Sequence, residues 1–208
     1  MGFLLFAMFF LTSGHILTFF YCLVRNLLLR SFYSVRHSKK DPFVAQTEAA
    51  IFDLTNDHRV KHGLPLVTRH SKLDASSLYH AKRMIATGEF EHTLSDGVDL
   101  GQRVQAACYI FQTVRENLAW HDDYIGATPN SLARDIVNGW INSPGHQANL
   151  VADDVTQIGI SVRRTFSRVY AVQNFGKPMV SIPALLRPAK RTSFAKQTSS
   201  SKRPGRFV

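Results

Sequence analysis

Phe3 to Val24 is a run of 22 residues without Asp, Glu, Lys or Arg, and no other feature restricts the chain as strongly. At about 1.5 Å per residue a helix of that length covers a hydrocarbon core of roughly 30 Å, with its backbone groups satisfied internally. The run reads as a transmembrane helix. A secretory signal peptide is the rival, but it wants a basic start and a small-residue cleavage site. Met1-Gly2 precedes the run, and Arg25 to Arg36 follows it with no such pattern. A lipid anchor on Cys22 is disfavoured by the bulky Phe19, Phe20 and Tyr21 before it. Myristoylation is disfavoured by Phe6 at the sixth position. Residues 1–40 are assigned as a membrane anchor or uncleaved signal segment with a basic juxtamembrane stretch.

The formal charge of +10 suggests a nucleic-acid binder until it is divided along the chain. Five basic residues lie between Arg25 and Lys40 and seven between Leu185 and Val208, in both cases without an acid. The stretch 41–184 sets the remaining 13 basic residues against all 15 acidic ones, so the presumptive domain is slightly acidic. A basic face for gripping phosphates loses its support, and nucleic acid is disfavoured as a partner. Next to a membrane span, the two basic flanks suit anionic lipid headgroups better. Residues 185–208 read as a basic disordered tail, having few apolar anchors. The two cysteines, Cys22 and Cys108, are expected to stay unpaired.

In the middle, Gln46 to His62 reads as a helix that presents Ala50, Ile51, Leu54 and His58 and stops at Gly63. Ser71 to Asp74 has the spacing of a capping box, and Leu78, Ala81 and Ile85 supply a stripe before Gly88. A third helix starts at Thr128-Pro129 and runs through Trp140. Strands are read near Thr113 to Trp120, around Ile158 to Val162, and from Arg168 to Phe175. No βαβ rhythm is present, which points to an α+β layered domain with a small, mainly antiparallel sheet.

Three residues stand out as candidate ligands: His92 in Glu-Phe-Glu-His-Thr, Glu116 in Arg-Glu-Asn-Leu, and His146 in Ser-Pro-Gly-His. They fall in loops or at element ends. Two imidazoles and one carboxylate leave a fourth zinc position open to water or substrate. Their separations, unlike H-E-x-x-H, do not force convergence. His80 and His121 read as packing or surface histidines, and Cys108 as a small buried hydrophobe. Trp140 and Phe175 read as core.

These pieces resemble a CAP domain, the superfamily of cysteine-rich secretory proteins, antigen 5 and pathogenesis-related proteins, also called the SCP domain. Ile51 to Arg59 with Gly63-Leu64-Pro65-Leu66 is similar to its opening helix and exit, and Phe90-Glu91-His92-Thr93 to its first histidine loop. Glu116-Asn117-Leu118-Ala119 resembles G-E-N-L-A, with Arg115 where Gly is usual. Trp140 to Leu150 resembles the bacterial signature W-x-N-S-P-G-H-R-x-N-I/L, with Gln147 in place of Arg. Ile158-Gly159-Ile160 and Val172 to Gly176 are similar to the closing strands.

The resemblance implies an α-β-α sandwich over residues 41–184, with a cleft lined in the family by two His and two Glu. His92, Glu116 and His146 match three of the four as metal residues, and zinc or another divalent metal is the implied cofactor. The second Glu has no counterpart after Trp140, where Ile141, Asn142 and Ser143 follow; Glu91, Asp122 and Asp123 are candidate substitutes. Two functions compete. One is a non-catalytic, membrane-tethered, extracytoplasmic module that binds a lipid, peptide or envelope polymer. The other is a metal-dependent hydrolase in which Glu116 would both ligate and shuttle protons. The binding module is favoured. The basic residues after Val24 point the domain towards the cytoplasm, whereas the family points it outward, and the outward placement is adopted.

Overall fold

A computed structural model describes residues 41–122 and 124–179. The expected membrane span, the basic juxtamembrane stretch, Cys22 and the tail lie outside these residues. Among the described residues no helix is long and apolar enough to cross a membrane.

Asp41 accepts a hydrogen bond from the Phe43 amide and Pro42 occupies the first turn, so α1 runs Pro42–Lys61, four residues earlier than its apolar pattern suggests. The signal for the true start is the Asp-Pro pair itself. Helix α2 spans Ser71–Thr87 and ends at Gly88, whose φ of 76° is a left-handed stop. The expected capping box at Ser71 is not what starts α2. His70 is the N-cap, with Nδ1 accepting from the Lys72 amide. Asp74 instead accepts from the Ile160 amide at 2.8 Å and from Arg69. The sheet amide outcompetes the local box. Helix α3, Leu100–Ala106, carries a capping box between Asp99 and Gln102. Helix α4, Pro129–Ile141, starts as expected on Thr128 with Pro129 behind it.

Ser143-Pro144-Gly145-His146, expected as loop, opens a fifth helix, α5, Pro144–Leu150, with Pro144 in its first turn. The strands are β1 (Thr68–Arg69), β2 (Phe111–Asp122), β3 (Gln157–Arg164) and β4 (Arg168–Pro178). They form one sheet in the order β1-β3-β4-β2. β2 and β3 pair antiparallel to β4, and the two-residue β1 pairs parallel to β3. The sheet is therefore mixed, and its three long strands are antiparallel.

Both faces of the sheet are covered. Ile158, Ile160 and Val162 of β3 and Val169, Ala171 and Phe175 of β4 pack with Ile51 of α1 and with Leu132, Ile136 and Trp140 of α4. On the opposite face Leu118 of β2 and Tyr170 and Val172 of β4 meet Ala81 and Met84 of α2. Gly159 permits the close approach of α2: a Cβ there would stand 2.1 Å from the Leu73 carbonyl carbon and 2.3 Å from the Asp74 amide. Trp140 and Phe175 are core, as expected, at 1% and 0% exposure.

Cys108 departs from expectation. It is disulfide-bonded rather than a free thiol, and no free cysteine exists among the described residues. The burial expected of Cys108 is found; the expectation of an unpaired thiol rested on the only other cysteine, Cys22, lying in the apolar run, outside the described residues.

Candidate functional site

β2 places the site, because successive side chains alternate between its faces. Glu116 shares a face with Leu118 and looks towards α2 and α3, whereas Asn117 looks towards α1. Each organises one side of the same strand.

On the α2 side Glu116 is buried. Arg103 of α3 grips it with one guanidinium nitrogen, Nη2, at 2.7 Å from Oε1 and 2.8 Å from Oε2. The other, Nη1, donates to the carbonyls of His92 at 2.7 Å and Val98 at 3.0 Å. Arg103 therefore fixes both the carboxylate and the loop that carries the histidine. His92 Nδ1 donates to Glu116 Oε1 at 2.9 Å while its side chain is 55% exposed. That bond puts the proton on Nδ1 and leaves Nε2 as the ring's free donor atom.

His80 was read as a packing or surface residue, and it is buried. Its Nε2 donates to the Glu91 carbonyl at 2.9 Å and stands 4.0 Å from Glu116 Oε1. Burial pushes its pKa below the usual imidazole value, against the pull of Glu116. A neutral His80 thus packs behind Glu116.

On the other side a chain of amides seats α5 on the outer edge of β2. Asn149 Nδ2 donates to the Glu116 carbonyl at 3.0 Å and to Asn117 Oδ1 at 2.9 Å. Asn117 Nδ2 donates to the His146 carbonyl at 3.2 Å and to Gln173 Oε1 at 3.1 Å, and Gln173 Nε2 continues to Thr55 Oγ1 at 2.8 Å. Trp140 Nε1 satisfies the next outward carbonyl, that of Leu118, at 2.8 Å. These bonds hold His146 near the His92 loop. Burial, and then the charge of His92, lower the pKa of His146. Gln147, standing where the signature has Arg, meets His58 Nε2 at 3.0 Å.

The three residues singled out in the sequence are thus joined in different ways. His92 and Glu116 touch, whereas His146 is tied to β2 through its backbone carbonyl, which accepts from Asn117. Among the described residues no set of three or more His, Cys, Asp or Glu side chains converges as metal ligands would. Of the substitutes for a fourth carboxylate, Asp122 is forked by Arg168 at 2.6 and 3.0 Å, and Glu91 meets the site through its backbone carbonyl, which accepts from His80. Asp123 lies outside the described residues. Arg103, which controls the site, was not singled out. A lone Arg on a short helix gives no sign in sequence that it will be buried against a carboxylate 13 residues away.

The comparisons agree with this architecture. The family model for the cysteine-rich secretory protein family, CAP, matches residues 52–175. The uncharacterised membrane protein YlbC of Bacillus subtilis strain 168 is 32% identical over 131 residues, covering 63% of this chain and 34% of that protein. The chain therefore spans about a third of the length of that relative. Among solved structures, an extracellular protein from Bacillus anthracis containing an SCP domain matches with a TM-score of 0.56 and 30% identity, over 64% of this chain and 41% of that one. An outer surface protein from Borrelia burgdorferi matches with a TM-score of 0.56 and 25% identity, over 64% of this chain and 94% of that one. With helices on both faces of a small sheet, and with the Glu-Asn pair of β2 and the Ser-Pro-Gly-His helix meeting at its edge, the chain belongs to the cysteine-rich secretory protein (CAP) family.

Proposed function

We propose that this chain is a membrane-tethered, extracytoplasmic binding module, and not a hydrolase, whose cleft at His92 and His146 takes a lipid, peptide or envelope-polymer ligand. The observation that carries this reading is the engagement of Glu116. A general base needs a free lone pair within reach of its proton. Glu116 accepts two bonds from Arg103 and one from His92, in a buried position. It is a scaffold group.

The same engagement bears on how the donor set would hold a divalent metal. The charge of Glu116 is matched by Arg103, and that cation also repels a dication, so Glu116 does not suit direct ligation. It suits the supporting role, fixing the His92 tautomer so that Nε2 faces outward. His92 and His146 fit as the two holders of zinc or a similar ion, His146 being kept neutral by burial. When bound, such an ion would supply open positions for an oxygen or nitrogen atom of a ligand.

Placement outside the cytoplasm draws support from two sources. The relatives include proteins described as membrane, extracellular and outer-surface. The charge-free run Phe3 to Val24 suits a tether. Protease treatment of intact cells is expected to cleave the domain, and its protection until lysis would overturn the placement. Zinc uptake by the purified chain is expected to fall at least tenfold in His92→Ala and in His146→Ala; unchanged uptake in both would remove the metal role. Metal-dependent turnover abolished by Glu116→Gln would favour the hydrolase instead.

A further inference from the structure

Apolar side chains exposed singly are ordinary, but at one end of this sheet they are grouped. Phe166 and Ile125, 91% and 73% exposed, are the two most exposed large hydrophobic side chains among the described residues. Phe166 sits in the turn between β3 and β4. That turn is fixed: the Thr165 amide donates to the Arg168 carbonyl at 2.7 Å, and the Arg168 amide to Thr165 Oγ1 at 3.1 Å. Ile125 lies in the loop after β2, beside Tyr124, whose hydroxyl donates to the Thr165 carbonyl at 2.9 Å. The two tips are therefore presented at the same end of the sheet by a braced frame. Behind them, two residues from the end of β2, Trp120 is 45% exposed, with the Arg168 guanidinium stacked 4.0 Å from its ring centre.

The described chain begins at this same end. Asp41 pairs with Arg164 at 2.6 Å, Arg164 lies over the Phe43 ring at 5.3 Å, and the Phe43 and Tyr124 rings meet at 6.1 Å between centres. Upstream of Asp41 come 16 residues with five basic groups and no acid, and then the charge-free run. A linker of that length reaches at most about 55 Å. On the tether proposed above, on which this inference rests, the domain is held within that distance of a bilayer and is entered through the end that carries Phe166 and Ile125. Confinement raises the local concentration of the tips at the lipid surface, so that weak contacts suffice. Their composition suits lipid: apolar tips backed by Trp120 and Tyr124 follow the order of an interfacial aromatic belt. Charge does not stand in the way, because Arg164 and Arg168 are paired with Asp41 and Asp122 inside the protein. We propose that the turn between β3 and β4 and the loop after β2 dock on the phospholipid bilayer, with Phe166 and Ile125 at the boundary of headgroup and acyl chain and Trp120 at headgroup level. The domain then stands on this end instead of swinging freely on its linker.

The test uses the full chain in vesicles of phosphatidylcholine and phosphatidylglycerol, with association read by flotation. Depth is read by the quenching of indole emission with phosphatidylcholine brominated high on its acyl chains, after the Trp120 and Trp140 signal of the unaltered protein is subtracted. Phe166→Trp is expected to be quenched about twofold or more relative to Leu66→Trp, because insertion of roughly 5–10 Å brings the tip to the bromine layer. Leu66 is also exposed, at 59%, but it precedes β1, which pairs with the opposite end of β3. Both sites lie open to solvent, so the melting temperature should stay unchanged; Ile125→Trp gives the same quenching if the first variant fails to fold. Failure to float removes the tether and the docking with it. Flotation with Phe166→Trp quenched no more than Leu66→Trp overturns the docking alone and leaves the tether standing. A blue-shifted but unquenched emission also overturns it, since a second copy of the chain then covers the tip in place of lipid.

Discussion

Replacing Arg103 by Met tests the reading of Glu116 most directly. The substitution keeps an apolar stem of similar length and removes the guanidinium. Glu116 loses contacts at 2.7 and 2.8 Å, and the carbonyls of His92 and Val98 lose theirs. The side chains of the pair are 1% and 2% exposed, so solvent cannot take over. Removing one partner of a buried ion pair costs about 3–5 kcal/mol, because the charge left behind is uncompensated. For a domain of this size 1 kcal/mol moves the melting temperature by roughly 2–4 °C, so Arg103→Met should lower it by about 10–15 °C. Glu116→Gln alone should cost less, since its amide oxygen still accepts one guanidinium N–H. In the double variant no charge is left unpaired. The double-mutant cycle should then return a coupling of about 1.5 kcal/mol or more, with the double variant recovering part of the Arg103→Met loss. Chemical denaturation of the four proteins measures all the terms. A loss under about 1 kcal/mol for Arg103→Met, or strict additivity in the cycle, would show that Glu116 is not held as described, and would return it to the list of free carboxylates.

Further outcomes follow from other parts of the fold. Gly159→Ala sets a Cβ against the backbone of Leu73 and Asp74 at 2.1 and 2.3 Å, and should cost about 3 kcal/mol or more in equilibrium unfolding; a neutral result would mean that α2 does not press on β3. Trp140→Phe strands the Leu118 carbonyl, which accepts from Nε1 at 2.8 Å, and should cost about 1–3 kcal/mol, read as a shift of the denaturation midpoint. Burial is the main cause lowering the pKa of His58, His70, His80 and His146. The unfolded chain therefore binds more protons as pH falls below about 6.5, and stability present above that value is lost progressively below it. His58→Gln should make the loss between pH 7 and 5 shallower, and an unchanged slope would count against a buried neutral His58.

The order of the elements was legible wherever a local signal agreed with packing. Thr128-Pro129 announces α4, and Gly88 stops α2, because cap chemistry and left-handed φ are decided within four residues. Where local and distant demands competed, the distant one won: Asp74 abandons its own helix start for the Ile160 amide, and α1 is extended by a cap outside its apolar stripe. β3 shows the limit of periodicity as a guide. Ile158, Ile160 and Val162 alternate with Gly159 and Ser161, as a one-sided strand would, yet all five are buried because the glycine admits a helix backbone on the second face.

The site divides along the same line. His92, Glu116 and His146 could be picked out by residue type, and His92 does touch Glu116, but type alone says nothing about which of them is spent on the scaffold. That depends on Arg103, whose two termini tie a loop, a short helix and a strand together. A carboxylate reads as a ligand or a base only while its partners are unknown. Once a buried guanidinium takes both oxygens, the same residue becomes the post against which His92 is oriented, and the chemistry moves outward to the imidazole nitrogens. The consequence reaches the missing fourth carboxylate. With Glu116 already neutralised by Arg103, a second acid beside it would stand as a charge without a partner. On the proposed reading, its absence after Trp140 suits a site that offers imidazole nitrogens in place of a second carboxylate.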